Sequence, residues 1–181
     1  MIIKETKIEG CFIIEPQVFK DKRGYFLESY NQAAFNKALE IDIKFVQDNE
    51  SQSSKGVLRG LHYQLGKYAQ AKLVRVIKGR VLDVVVDLRP NSLTFGEHIS
   101  VELSEENKTQ FFVPRGFAHG FLVLEDDTIF SYKCDNFYNK ASEVGIIYND
   151  EDLAIDWKYS KQELTISEKD LILPNFKNAQ L

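Results

Sequence analysis

Between residues 73 and 134 the sequence is a succession of short β-type runs broken by Gly, Asn and Asp. That pattern constrains the fold more than any other feature. Residues 73–77, a Lys78-Gly79 turn and residues 80–88 read as a hairpin of neighbouring strands. Val84-Val85-Val86 places apolar side chains on both faces, which predicts a strand covered on both sides. Residues 98–103 alternate, with Ile99, Val101 and Leu103 inward and His98, Ser100 and Glu102 outward. Residues 111–113, 120–124 and 128–134 are further strands. Helix is minor: residues 32–39 form one short helix, and a second begins near Ser160 or Ser167, each followed three residues later by an acidic residue. Many short strands with frequent turns predict a mainly β fold, a jelly-roll barrel or sandwich with a few short helices.

At 181 residues the chain fits one domain, 1–181, with a helical C-terminal segment from about residue 160. Apolar residues make up 44% and charged residues 28%, an ordinary globular mix that argues against disorder. The net charge of −4, without a Lys/Arg cluster, argues against nucleic acid as a partner. A few local arginines still suffice for one or two phosphates. Two distant cysteines, Cys11 and Cys134, make neither a disulfide framework nor a Cys-rich zinc site. Lys4 and Glu5 put charge where a signal peptide needs its apolar core, and no apolar run approaches the roughly 18 residues of a membrane span. The expectation is a cytoplasmic chain with no membrane partner.

Two stretches carry chemistry: Gly56-Val57-Leu58-Arg59-Gly60-Leu61-His62-Tyr63-Gln64 and Pro114-Arg115-Gly116-Phe117-Ala118-His119-Gly120-Phe121. Together they resemble the two motifs of the cupin superfamily, whose fold is a jelly-roll barrel. A metal-binding cupin needs a second His two residues after the first and a Glu soon after. Here Gln64 takes the second-His position, and no Glu lies between Gln64 and Gly79. With three histidines in all, and His98 outward, a three-His-plus-Glu site cannot be filled, so no metal is expected.

Strand parity sets Lys72 with Val74 and Val76, His119 with Phe117 and Phe121, and Tyr132 with Phe130 and Cys134. His62, Lys72, His119 and Tyr132 are thus polar groups among inward-facing ones, costly unless paired or used. Arg59 and His62 differ by an odd number of positions, and a bulge at Gly60 is needed to turn both inward. Each residue also has a purely structural reading. A histidine on an apolar face is commonly a hydrogen-bonded core residue. Tyr132 can pack with its hydroxyl at the rim, and Lys72 can snorkel. Asp170 can complete a capping box on Ser167 ahead of Pro174.

Beyond the cupin motifs, the chain resembles the dTDP-4-dehydrorhamnose 3,5-epimerase family along nearly its whole length. The likeness rests on residues 22–28, 46–49, 56–64, 70–74, 83–89, 114–121, 132–133 and 167–170. It departs at Gly66-Lys67-Tyr68, at Asn149-Asp150-Glu151-Asp152 and at Lys158, where the family usually has prolines. The resemblance implies His62 as base, Asp170 as its partner carboxylate, Tyr132 as acid and Lys72 as stabiliser of an enolate. It implies substrate contacts from Arg23, Glu28, Gln47, Asn49, Arg59, His119, Glu143 and Lys169. It also implies a homodimer with exchanged N-terminal strands, in which Arg23 and Glu28 complete the neighbour's site. The substrate implied is a dTDP-4-keto-6-deoxy sugar.

Epimerisation beside a ketone requires no cofactor. The carbonyl acidifies the hydrogens on the two flanking carbons, a base removes one, and a proton returns from the opposite face. An imidazole suits the base, an ammonium the developing oxyanion and a guanidinium the pyrophosphate. Other readings of the same residues are a single-centre epimerase or ketoisomerase, a metal-dependent cupin and a non-catalytic sugar-binding cupin.

Overall fold

The computed structural model describes residues 1–181. In chain order the strands are β1 (Ile2–Glu5), β2 (Phe12–Glu15), β3 (Val18–Asp21), β4 (Gly24–Leu27), β5 (Gln47–Ser53), β6 (Val57–Gln64) and β7 (Lys72–Lys78). There follow β8 (Arg80–Asp87), β9 (His98–Ser104), β10 (Gln110–Val113), β11 (Phe117–Val123), β12 (Thr128–Cys134), β13 (Glu143–Gly145) and β14 (Thr165–Ile166). The helices are α1 (Gln32–Leu39) and α2 (Glu168–Leu171). One sheet runs β1-β2-β10-β7-β12-β5 and the other β13-β6-β11-β8-β9, with β14 added in parallel to β6. The result is a two-sheet sandwich of jelly-roll type with little helix. No helix is long and apolar enough to cross a membrane.

The hairpin read across Lys78-Gly79 does not form. β7 pairs with β10 and β12, whereas β8 pairs with β9 and β11, so the two strands belong to opposite sheets. Gly79, at φ +79°, turns the corner between them, packed against Thr128. Burial decides this arrangement. Val74 and Val76 meet Val81 and Val85 across the core, together with Phe111, Phe121 and Phe130. A flat hairpin would set these residues side by side on one face and leave them uncovered. β8 is covered twice over: Val81 and Val85 face the inner core, while Leu82, Val84 and Val86 lie under Ile146, Tyr148, Leu153 and Trp157 of the C-terminal segment.

α1 starts and stops as its residues dictate. The Asn31 side chain accepts from the Ala34 N–H at 3.1 Å, a cap worth about 1 kcal/mol, and Glu40 ends the helix in the left-handed region. Phe35 and Leu39 seal the outer face of the first sheet against Leu73 and Phe112. Both serine signals near the C-terminus mark real turns, but short ones. Ser160 and Glu163 form a capping box on a single 3-10 turn, and Ser167 caps the four-residue α2. The interposed β14 pulls the chain back to extended geometry.

Asp87, fully buried, anchors the loop after β8. It accepts from the Arg89 backbone and guanidinium, from Ser92 and from Thr94. Burial alone raises its pKa, yet these bonds outweigh it and hold the carboxyl at about 2. Against an ordinary 3.8 this is about 2 kcal/mol of stability. The folded pKa is depressed, so the contribution is full above the unfolded value and fades as pH falls towards 2. Asp87→Asn is expected to lower the urea midpoint at neutral pH, with the gap from the wild type closing in acid. A gap of equal size in acid and at neutral pH would contradict this account.

Candidate active site

The site is built around the bulge in β6. His62 lies opposite His119 on β11, but Arg59 lies opposite Phe121, so three steps on β6 match two on β11. The extra residue is accommodated at Gly60, at φ +114°. A Cβ there would stand 2.7 Å from both the Gly120 Cα and the His119 carbonyl oxygen. The bulge reverses side-chain parity, and Arg59 and His62 both line one cavity of about 630 Å³. Lys72, Tyr132, His119, Asp170, Gln47, Asn49, Glu143 and Lys169 line the same cavity.

His62 Nε2 is 2.7 Å from Asp170 Oδ1. Asp170 is 2% exposed and also accepts, at 3.4 Å, from the Gly60 N–H. Burial raises its pKa, but the His62 contacts, the Gly60 N–H and Lys169 together hold it below the ordinary carboxylate value. An ionised carboxylate accepts only, so the His62 proton sits on Nε2 and Nδ1 keeps its lone pair. The capping-box reading of Asp170 is half right. Ser167 Oγ accepts from the Asp170 N–H at 3.3 Å, while the carboxylate turns away from the helix towards β6.

The opposite wall comes from the first sheet. Lys72 opens β7, and its Nζ lies 5.9 Å from the Tyr132 ring centre and 3.5 Å from His119 Nδ1. Burial lowers the Lys72 pKa, opposed by Cys134, Asp83 and Glu143. Burial likewise pushes the Tyr132 phenol up to about 12, so it keeps its proton at neutral pH. His119 Nε2 bonds Asp83 Oδ2 at 2.8 Å.

The mouth is polar. Arg59 meets only Ser53 Oγ, at 3.2 and 3.4 Å, and has no carboxylate partner. Glu143 accepts from the Tyr138 hydroxyl at 3.1 Å and lies 3.5 Å from Lys169 Nζ. Gln47 donates to Asn49 Oδ1 at 3.0 Å and accepts from the Tyr138 N–H at 3.0 Å. No three His, Cys, Asp or Glu side chains are grouped so as to hold a metal ion.

Two residues implied by the resemblance lie elsewhere. Arg23 sits at the tip of the β3–β4 hairpin, exposed and paired with Asp21 at 2.6 Å. Glu28 lines a separate cavity beside α1, with Tyr30 and Phe35. Conversely, Tyr138, Gln64 and Gln70 line the main cavity without having been singled out from the sequence. Gln64 and Gln70 fall inside stretches that carry the resemblance, but Tyr138 lies in a loop where strand parity offers no signal.

Known proteins resemble the chain in sequence and in fold. The family model described as dTDP-4-dehydrorhamnose 3,5-epimerase matches residues 5–178. The Escherichia coli K12 protein of that name is 54% identical over 170 residues, 94% of this chain and 91% of its own length. The crystal structure of the enzyme of that name from Elizabethkingia anophelis NUHP1 superposes with a TM-score of 0.94 at 58% identity, covering 98% of this chain and 97% of that one. A Legionella pneumophila dTDP-6-deoxy-D-glucose-3,5-epimerase, solved in complex with dTDP-4-keto-L-rhamnose, gives 0.94 at 47% identity, covering 98% and 93%. With a family match over almost all its residues and identities of 54%, 58% and 47% to these relatives, the chain belongs to the dTDP-4-dehydrorhamnose 3,5-epimerase family.

Proposed function

We propose that this cavity epimerises carbons 3 and 5 of dTDP-4-dehydro-6-deoxy-D-glucose, giving dTDP-4-dehydro-L-rhamnose by enolate chemistry. One observation carries the reading: a carboxylate-backed imidazole on one sheet and a protonated phenol on the other face the same cavity. His62 Nδ1 takes the proton from the carbon beside the ketone. Asp170 fixes the ring and balances the imidazolium that forms, as in other His-Asp pairs. Lys72 places positive charge at the carbonyl oxygen as it becomes an enolate. Tyr132 returns a proton from the opposite face, which is what inverts the centre. Arg59, lacking a carboxylate partner, is free to grip the pyrophosphate with two parallel bonds.

Turnover of dTDP-4-keto-6-deoxyglucose in deuterium oxide, followed by NMR of the sugar ring, tests this. Label at both carbons is expected. Label at one carbon makes the protein a single-centre enzyme, and none removes the reading. Tyr132→Phe is expected to exchange ring hydrogens with solvent while forming little inverted product. Normal epimer yield from that variant would remove the phenol from the mechanism.

The working unit in this proposal is a cytoplasmic homodimer with exchanged β3–β4 hairpins. Phe19, Tyr25 and Phe26 of the hairpin are each more than half exposed, an apolar patch that a second subunit would cover. Arg23 and Glu28 lie outside their own chain's cavity, as residues serving a neighbour would. Co-expressed Arg23→Ala and His62→Ala subunits are then expected to regain activity that neither variant has alone, because one site of the mixed dimer carries both lesions and the other none. Failure of the mixed dimer to exceed the parent variants would rule out the exchange.

A further inference from the structure

We propose that Asp83 is a positioning residue: through His119 it holds an imidazole lone pair against Lys72 and so aims the ammonium into the cavity. The inference rests on the role given above to Lys72. Asp83 lies on β8 with Val81 and Val85 on the same face, a carboxylate where the core pattern calls for a third valine. It is completely buried. Directly across the ladder stands Phe121, and His119 is the diagonal neighbour. Oδ2 meets His119 Nε2 at 2.8 Å, and Oδ1 has no partner at all.

Stability does not explain such a group. A buried carboxylate with one oxygen unpaired is a poor substitute for an apolar side chain of similar size. It does impose one thing. As an acceptor only, it puts the His119 proton on Nε2 and leaves the lone pair on Nδ1. Burial and the nearby Lys72 charge, outweighing Asp83, keep the ring neutral by lowering its pKa. Nδ1 is the atom 3.5 Å from Lys72 Nζ. Phe121 and Phe130, with ring centres 6.4 and 6.2 Å away, hold the plane of the imidazole. One of the three ammonium hydrogens would thereby be engaged, leaving the other two for the ketone of the proposed substrate. Without Asp83 the ring is free to place N–H against the ammonium, donor against donor.

The groups facing Lys72 are Asp83 from β8, His119 from β11, Tyr132 and Cys134 from β12 and Glu143 from β13. The Cys134 thiol is pushed up to about 11 by burial, and Tyr132 to about 12, so both are uncharged at neutral pH. Asp83 and Glu143 therefore supply the negative charge that opposes the lowering of the Lys72 pKa by burial. Removing the Asp83 charge moves the high-pH limb of turnover to lower pH.

The test uses the full chain. In ¹⁵N-histidine NMR of the ligand-free protein, His119 is identified by its loss in His119→Asn. The expected wild-type ring carries its proton on Nε2, and Asp83→Asn is expected to show both tautomers. Its kcat should fall roughly 10- to 100-fold, less than the loss of a direct oxyanion donor, with KM little changed. Its high-pH limb should shift downwards. His119→Asn, whose amide oxygen can still accept from Lys72, should retain more turnover than His119→Phe. A wild-type His119 protonated on Nδ1, or an Asp83→Asn enzyme with unaltered kcat and pH profile, overturns the proposal. Should Asp83→Asn not fold, the wild-type tautomer and the two His119 variants decide the matter. Lys72→Ala with full turnover would instead remove the role of the lysine itself, a separate failure that the tautomer measurement does not produce.

Discussion

His62→Ala is expected to reduce kcat by about 10⁴-fold, the upper end of what a positioned general base supplies and about 5 kcal/mol of barrier. No other group in the cavity replaces it. His119 is the nearest candidate, but both its nitrogens are occupied, by Asp83 and by Lys72. Tyr132 keeps its proton at neutral pH and so does not take one up there. The alanine variant also strands the Asp170 carboxylate, buried with only the Gly60 N–H at 3.4 Å. Leaving one partner of a buried pair costs about 3 kcal/mol or more. His62→Asn separates the two effects, because its amide can still donate to Asp170. Both variants should lose solvent exchange at carbons 3 and 5 by NMR, while only the alanine variant should show a clearly lowered urea midpoint. Normal deuterium incorporation by His62→Asn would end the assignment of the base.

Gly60→Ala should be strongly damaging for so small a substitution. The added methyl group meets backbone atoms on two residues of β11 at 2.7 Å, and the residue is held at φ +114°. Overpacking against backbone and an unfavourable φ each cost about 1–3 kcal/mol, so the loss is expected to be about 3 kcal/mol or more. Gly24→Ala is the matched control. It has a positive φ of +134° but nothing within 4 Å, and should cost only the backbone strain, about 1 kcal/mol. Comparing the two by urea unfolding isolates the strand contact. The bulge also sets the angle between Arg59 and His62, so a folded Gly60→Ala protein should retain little turnover. A midpoint equal to that of Gly24→Ala would show that β6 and β11 can part without cost.

Local signals were well marked in the sequence and long-range pairing was not. The helix at 32–39 and the strands at 98–103 and 128–134 follow from apolar spacing, which is a property of neighbouring residues. The inward parity of Lys72, His119 and Tyr132 was legible for the same reason, and so was the need for a bulge between Arg59 and His62. The β7–β8 hairpin failed because a Lys-Gly turn looks the same whether the next strand pairs with its predecessor or crosses the sandwich. Only the identity of the distant partners, β10 and β12 against β9 and β11, decides it. Asp170 stayed ambiguous because its backbone and its carboxylate have separate partners, one nearby and one 108 residues away. Asp83 hid inside a run of valines, although it shares their parity.

The C-terminal segment has a double occupation. β14 zips along the start of β6 in parallel, and α2 immediately after it delivers Asp170 to the imidazole. Ile147 N–H bonds Pro174 O, and the Phe176 N–H bonds Asp150. Were this stretch to peel from the sandwich first, His62 would lose its carboxylate while the valine-rich interior stayed closed. Warmed gradually, the enzyme should fall silent while its circular dichroism still reports intact sheets, and recover when the tail re-anneals on cooling.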